Sequence, residues 1–133
     1  MAAHQIPYVA TAVIGYPEDL VKKLIKAMAI KDGMSYIHLL SPCIPGWGID
    51  ISASIDVCRA AVETNYFPLW EFERGRYRFT YSGDKPNPIG EYIRMMRRFS
   101  HLDEKDIEEI QEVVNRRFAH IKALTELKED ISS

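Results

Sequence analysis

Residues 36–75 read YIHLLSPCIPGWGIDISASIDVCRAAVETNYFPLWEFERG, and the order of signals in this stretch sets the fold class. An apolar strand, Met34 to Leu40, runs directly into Ser41-Pro42-Cys43. Pro45, Gly46 and Gly48 then predict a loop held away from helix and sheet. Beyond it, Ser52 or Ser54 is placed to cap a helix running to about Asn65, with Ile55, Cys58, Ala61 and Val62 as its inner stripe. Pro68 closes that helix off. Leu69 to Glu73 and Arg76 to Tyr81 flank Arg74-Gly75 and predict a β-hairpin with a short turn. A cysteine at the end of a buried strand, on a loop shaped by proline and glycine, is where a fold presents a thiolate to a ligand.

Upstream, Ile6 to Ile14 is apolar and β-branched with Gly15 after it, the pattern of a buried strand. Pro17 suits the first turn of a helix, with Glu18 and Asp19 at the positive end of its dipole. Leu20, Val21, Leu24, Ile25, Ala27 and Met28 form one apolar stripe, and Lys22, Lys23 and Lys26 lie away from most of it. Asp32-Gly33 ends that helix before the Met34–Leu40 strand. Strand, helix and strand in this order make a βαβ unit, so the two strands should be parallel with a right-handed crossover.

Downstream, Ser82 to Pro88 is a polar Gly/Pro loop. Ile89, Ile93, Met96 and Phe99 predict a helix, and Asp103 with Asp106 resembles a cap for a last one. Ile107, Ile110, Val114, Phe118, Ile121 and Leu124 are the apolar stripe of that last helix. There is no internal repeat, no low-complexity tract and no boundary sharper than residues 82–88. The fold class is α/β: a parallel βαβ core with an appended β-hairpin and two C-terminal helices, in a single domain over residues 1–133. Two parallel strands make a small sheet for this class. Exposed parallel strands are uncommon, which points to a missing remainder.

Composition narrows the function classes. A chain of 133 residues, 47% hydrophobic and 27% charged, can hide roughly two-thirds of its unfolded surface in one domain. A net charge of -2 gives no argument for nucleic acid or an anionic membrane. No apolar run approaches the ~20 residues of a membrane span, and the first residues carry no basic segment followed by an apolar core, so no signal peptide is read. Two cysteines are too few for a disulfide framework and suggest a reducing, cytoplasmic setting.

Few residues carry chemistry. Cys43 and Cys58 are too far apart for a CxxC pair, and His4, His38, His101 and His120 show no paired-ligand spacing. No phosphate-binding P-loop is present. Gly46-Trp47-Gly48 reads as a turn needing positive φ. His38 alternates within an apolar strand and reads first as a satisfied core or interface histidine. Cys58, on a helical apolar stripe, reads as a small core residue. Arg94, Arg97 and Arg98 form a basic patch whose plain reading is a solvated helix face, with docking of an anion or an acidic partner as the other. On residue type alone, Cys43 is more often structural than reactive.

The chain resembles the C-terminal part of the thiamine-diphosphate-binding beta subunit of pyruvate:ferredoxin oxidoreductase (pyruvate synthase). Tyr8-Val9-Ala10-Thr11-Ala12 and Tyr16-Pro17-Glu18-Asp19 are similar to the family's strand and helix after its cofactor-binding half. Ala61-Val62-Glu63-Thr64 and Phe67-Pro68-Leu69-Trp70-Glu71-Phe72-Glu73 resemble its helix-to-hairpin segment. Glu91-Tyr92-Ile93 and Arg98-Phe99-Ser100-His101-Leu102 look like the C-terminal helix of pyruvate-type subunits, which 2-oxoglutarate-type subunits generally lack. The segment Leu40-Ser41-Pro42-Cys43-Ile44-Pro45-Gly46-Trp47 is similar to the one whose strand-end cysteine ligates a 4Fe-4S cluster beside the thiamine cofactor. The resemblance therefore implies that Cys43 is a cluster ligand. The other three cysteine ligands lie earlier in such subunits and have no counterpart here.

The family's Gly-Asp-Gly with its downstream Asn, which holds magnesium and diphosphate, is also absent. The resemblance thus implies that Met1 is an internal methionine of a longer subunit, or the start of a truncated or split reading frame. In the intact enzyme it implies thiamine diphosphate, Mg2+ and 4Fe-4S clusters as cofactors. A 2-oxoacid is decarboxylated, its acyl group passes to coenzyme A and its electrons go to ferredoxin. The partners implied are the rest of the beta subunit and the other subunits of the oxidoreductase. The chain alone is expected to be inactive, to bind none of these cofactors and to self-associate. Two alternatives are a standalone α/β interaction or regulatory module derived from that subunit, and an unrelated metal or redox protein using Cys43.

Overall fold

The computed structural model describes residues 1–4, 6–81 and 85–127. The strands are β1 (Tyr8–Val13), β2 (Ser35–Leu40), β3 (Leu69–Glu73) and β4 (Arg76–Tyr81). The helices are α1 (Pro17–Ala29), α2 (Ile44–Trp47), α3 (Ser54–Glu63), α4 (Ile89–Ile93) and α5 (Glu104–Glu126). Short 3-10 turns lie at Ala2–His4, Ile51–Ala53 and Arg97–Phe99.

One mixed sheet has the order β2-β1-β3-β4. The βαβ unit is parallel, with Tyr8 opposite Ser35 and Val13 opposite Leu40. The hairpin docks antiparallel on the other side of β1, pairing Tyr8 with Glu73 and Ala10 with Glu71. Past Ala10 the strands part, and the Thr11 hydroxyl continues the ladder. It donates to the Pro68 carbonyl at 2.7 Å and accepts from the Trp70 N–H at 3.0 Å. The hairpin turn falls on Arg74 and Gly75, both at positive φ (47° and 89°), as a two-residue turn matching the twist of its strands requires.

β1 is buried at every position, as the central strand of a covered sheet. β2 forms the opposite edge and exposes Tyr36, His38 and Leu39. One core cluster joins Ile49, Val57, Ala61, Ile89, Tyr92, Ile93, Met96 and Val114, binding α3, α4 and α5 together. A second joins Val13, Cys58, Val62 and Leu69 beneath α3. α5 starts on the expected reciprocal cap, with Asp103 accepting from the Asp106 N–H at 2.9 Å and Asp106 accepting from the Asp103 N–H at 3.0 Å. Its stripe faces inward, and Phe118 stacks on Phe79 of β4 with ring centres 5.1 Å apart.

Several expectations need correction. The residues after Cys43 are not held out of helix: Ile44–Trp47 form the single turn of α2, with Pro45 in its first turn and Gly48 at φ 64° ending it. Proline at a helix start and glycine just past its end are compatible with a helix this short. Neither Ser52 nor Ser54 caps α3, whose preceding residue is Ala53; the Ser54 hydroxyl donates back to the Ile51 carbonyl. Val57, not Ile55, joins Cys58, Ala61 and Val62 on the buried face of α3, because the helix begins from a 3-10 turn that sets its rotation. The helix expected over Ile89–Phe99 stops at Ile93 and resumes as the 3-10 turn Arg97–Phe99, with Met96 extended between them. Part of the polar 82–88 loop, residues 82–84, lies outside the described residues.

The largest correction concerns α1. Val21, Leu24, Ile25 and Met28 of its apolar stripe are 44–75% exposed, whereas Lys23 is 1% exposed. The helix turns Lys23 inward because three acceptors await its ammonium there: the Thr11 carbonyl at 2.8 Å, Asp19 at 2.6 Å and the Thr80 hydroxyl at 2.7 Å. A buried cation is tolerable when its donors are all used.

Candidate functional site

Cys43 lies at the carboxyl end of β2, on the residue that opens α2, and its side chain is exposed. In open α/β sheets, ligands bind outside the carboxyl ends of the parallel strands. The local backbone is tightly tied. The Cys43 carbonyl accepts from the Trp47 N–H at 2.8 Å, and the Ile44 carbonyl accepts from Gly48 and Ile49 at 3.1 and 3.2 Å. A Cβ on Gly46 would sit 2.9 Å from the Cys43 Sγ, so glycine leaves the sulfur room over the turn.

A second element holds the turn from outside. Arg97 donates its Nε–H to the Gly48 carbonyl at 3.0 Å, and its own main-chain N–H reaches the same oxygen at 3.4 Å. The Arg98 guanidinium carbon stands 4.9 Å over the Trp47 ring and 4.4 Å from the centre of Phe99. Arg94 instead pairs with Glu104 at 2.6 Å. The arginines read as a solvated face are thus engaged one by one, two of them with the cysteine turn. Sequence reading missed this because residues 43–48 and 97–98 meet only in the tertiary structure.

The remaining candidates divide clearly. Cys58 is fully buried, and burial pushes its thiol up from the ordinary value. His38 is exposed on β2 and meets Phe67 edge-on, with ring centres 5.3 Å apart, so it is not a core histidine. Among the described residues, no group of three or more His, Cys, Asp or Glu is arranged to hold a metal ion. The donor set for a cluster is therefore one thiol, Cys43, on an open face. It fits as a single ligand, and the chemistry of an iron–sulfur cluster requires more than it supplies.

A cleft of about 1010 Å³ lies on the other side, where α1, α3 and the hairpin meet. Its polar floor was not anticipated. Glu71, 2% exposed, accepts from the Tyr8 hydroxyl at 2.7 Å, from Lys26 at 2.7 Å and from Arg78. Burial alone would raise the Glu71 carboxyl, but the hydrogen bonds from Lys26, Tyr8 and Arg78 outweigh it and hold the group below its ordinary value. Burial in turn lowers the Lys23 ammonium and raises the Tyr8 phenol. These groups satisfy one another, so the floor reads as architecture rather than as a reactive set.

The chain is 49% identical over 115 residues to pyruvate synthase subunit PorB of Methanocaldococcus jannaschii, a match covering 86% of the chain and 38% of that relative. It is 43% identical over 127 residues to ketoisovalerate oxidoreductase subunit VorB of Pyrococcus furiosus, covering 94% of the chain and 40% of the relative. The beta subunit of NADH-dependent phenylglyoxylate dehydrogenase from Aromatoleum evansii is 40% identical over 128 residues, 95% of the chain and 29% of the relative. Over most of its length the chain is homologous to subunits named for pyruvate synthase and ketoisovalerate oxidoreductase. It matches the C-terminal part of these subunits and spans about two-fifths of the length of the first two. No protein-family model matches it. Identity of 43–49% over most of the chain sets aside the reading of an unrelated redox protein. Among the described residues β2 is paired only with β1, with Tyr36, His38 and Leu39 exposed and Ser35, Ile37 and Leu40 half-buried. No helix among the described residues is long and apolar enough to cross a membrane.

Proposed function

We propose that this chain is the C-terminal portion of the thiamine-diphosphate-binding beta subunit of a pyruvate synthase-type enzyme, and that Cys43 is one ligand of its proximal 4Fe-4S cluster. The enzyme decarboxylates a 2-oxoacid, transfers the acyl group to coenzyme A and passes the electrons to ferredoxin in the cytoplasm. The cluster, when bound, supplies one-electron transfer. The observation that carries the reading is the exposed thiol at the carboxyl end of β2, cleared by Gly46, in a chain whose relatives bear those names. Relatives named for pyruvate, ketoisovalerate and phenylglyoxylate all match at 40–49% identity, which favours a part common to several 2-oxoacids over a substrate-selecting one.

This chain contributes the cluster thiolate, four strands of the sheet and the contact surface toward the rest of the subunit and its partner subunits. The edge of β2 is the junction with the preceding half, which carries thiamine diphosphate and Mg2+. Residues 1–133 act as one domain-sized portion and are inactive by themselves. Calorimetric titration of the chain with thiamine diphosphate and magnesium should show no saturable binding; one-to-one binding overturns that part of the reading. In the assembled enzyme, Cys43→Ser should lower iron content and remove one reduced-state EPR signal. A normal signal in that variant overturns the ligand role.

A further inference from the structure

We infer that Arg97 and Arg98 are positioning residues for the Cys43 thiolate, acting as a two-point clamp on the turn that carries it. The inference rests on the reading of Cys43 as a cluster ligand and concerns how that ligand is held. Residues 43–48 behave as one link, because hydrogen bonds from Trp47 to Cys43 and from Gly48 to Ile44 span it. Its first residue is the exposed thiol, with no side-chain hydrogen bond at the cap to orient it. Its far end is where the arginines act.

Arg97 fixes Gly48 from two sides. Its Nε–H donates to the Gly48 oxygen, and the space a Gly48 Cβ would need is 2.9 Å from the Arg97 Cβ. A side chain at residue 48 would therefore push the clamp off, besides straining the left-handed backbone at φ 64°. Arg98 lies over Trp47 and against Phe99, so one cation spans both elements. The clamp is itself anchored, since Met96 is 1% exposed and Phe99 packs against the same core cluster as Trp47. Arg94, three residues earlier, uses its guanidinium on Glu104 and provides an internal control. Metal ligands are commonly oriented by partners that do not touch the metal, and Arg97 and Arg98 stand in that relation to Cys43.

The test compares Arg97→Ala, Arg98→Ala, Arg98→Lys and Arg94→Ala with Cys43→Ser. In the cluster-free chain, the rate of Cys43 alkylation by iodoacetamide should rise roughly two- to fivefold in Arg97→Ala and Arg98→Ala, the population change that loss of one such contact allows. Arg98→Lys, which keeps a cation over Trp47, should restore most of the wild-type rate, and Arg94→Ala should leave it unchanged. In the assembled enzyme, the two clamp variants should retain iron but show a shifted cluster potential and an altered reduced-state EPR line shape. Cys43→Ser should lose the signal. If Cys43→Ser loses it while the clamp variants keep wild-type alkylation, potential and line shape, the clamp is wrong and the ligand reading stands. If Cys43→Ser keeps a normal signal, the ligand reading itself fails. An Arg94→Ala effect equal to those of Arg97→Ala and Arg98→Ala would reduce the clamp to general destabilisation and overturn it.

Discussion

The ammonium of Lys23 lies 2.8 Å from the main-chain oxygen of Thr11, in the gap where β1 and β3 part company. It also bonds Asp19 and Thr80, so one side chain joins α1 to both ends of the βαβ-to-hairpin junction. Among the described residues, no buried side-chain nitrogen or oxygen lacks a partner, and Lys23 is a reason this holds beneath α1.

Removing this side chain leaves the Thr11 carbonyl, Asp19 and Thr80 without their donor. Lys23→Ala adds a cavity to that loss and should cost ~2–4 kcal/mol in urea unfolding. Lys23→Met keeps the volume and should cost less, ~1–2 kcal/mol. An alanine variant within about 0.5 kcal/mol of the parent would mean that the ammonium is not held as described.

Acid should weaken the fold through Glu71. Its folded value is depressed, so it contributes stability above its unfolded value of 4.5, and that contribution is lost as pH falls through the folded value. Glu71→Gln should flatten the acid limb of a stability–pH profile between pH 5 and 3 while costing about 3 kcal/mol at neutral pH. An unchanged acid limb in this variant would assign the acid sensitivity to other carboxylates.

What was legible in the sequence was local. Arg74-Gly75 fixed the hairpin because both residues must take positive φ, and Asp103 with Asp106 fixed the start of α5, because these signals need only neighbours in the chain. The rotation of α1 was not legible, since a stripe such as Val21, Leu24, Ile25 and Met28 is read inward by default. What turned it outward was a set of acceptors on Thr11 and Thr80, far apart in sequence. The α2 turn was hidden because Pro45 and Gly48 signal both a helix break and the two ends of a very short helix. Cys43 was legible as a candidate by its place after a strand, whereas Arg97 and Arg98 became part of its surroundings only through packing.

The exposed α1 stripe and the β2 edge predict association of the isolated chain. Val21, Leu24, Ile25 and Met28 recur at helical spacing, and among the described residues β2 pairs on one side only, with Tyr36 and Leu39 exposed along it. Sedimentation at micromolar concentration should show oligomers, and Ile25→Lys with Met28→Glu should reduce them without loss of folding stability. A monomer that binds no apolar dye would count against an uncovered surface.

Gly48 and Gly46 should respond differently to alanine. Gly48→Ala places a side chain at φ 64° against Arg97 and should cost ~1–2 kcal/mol. Gly46→Ala is allowed by the helical backbone but would displace the Cys43 sulfur. Its signature is therefore a changed Cys43 alkylation rate with a smaller stability loss. Equal stability losses and unchanged alkylation in both variants would remove the special relation of Gly46 to the thiol.

The two cysteines should separate most sharply. Cys58 packs between β1 and β3 residues Val13 and Leu69, and burial raises its thiol, which disfavours the reactive thiolate. Cys43 is exposed at a strand end. Iodoacetamide should therefore label Cys43 in the folded chain and reach Cys58 only on unfolding, as peptide mass mapping would show. Cys43→Ser should hardly alter the urea midpoint, because no packing is lost, whereas Cys58→Ala should cost ~1 kcal/mol by leaving a small cavity. With Cys43 as the proposed cluster ligand, the order should reverse in the assembled enzyme: Cys58→Ala should keep its iron and its reduced-state EPR signal, and Cys43→Ser should lose that signal. A Cys58 variant that loses the signal, beside a Cys43 variant that keeps it, would place the ligand on the wrong residue.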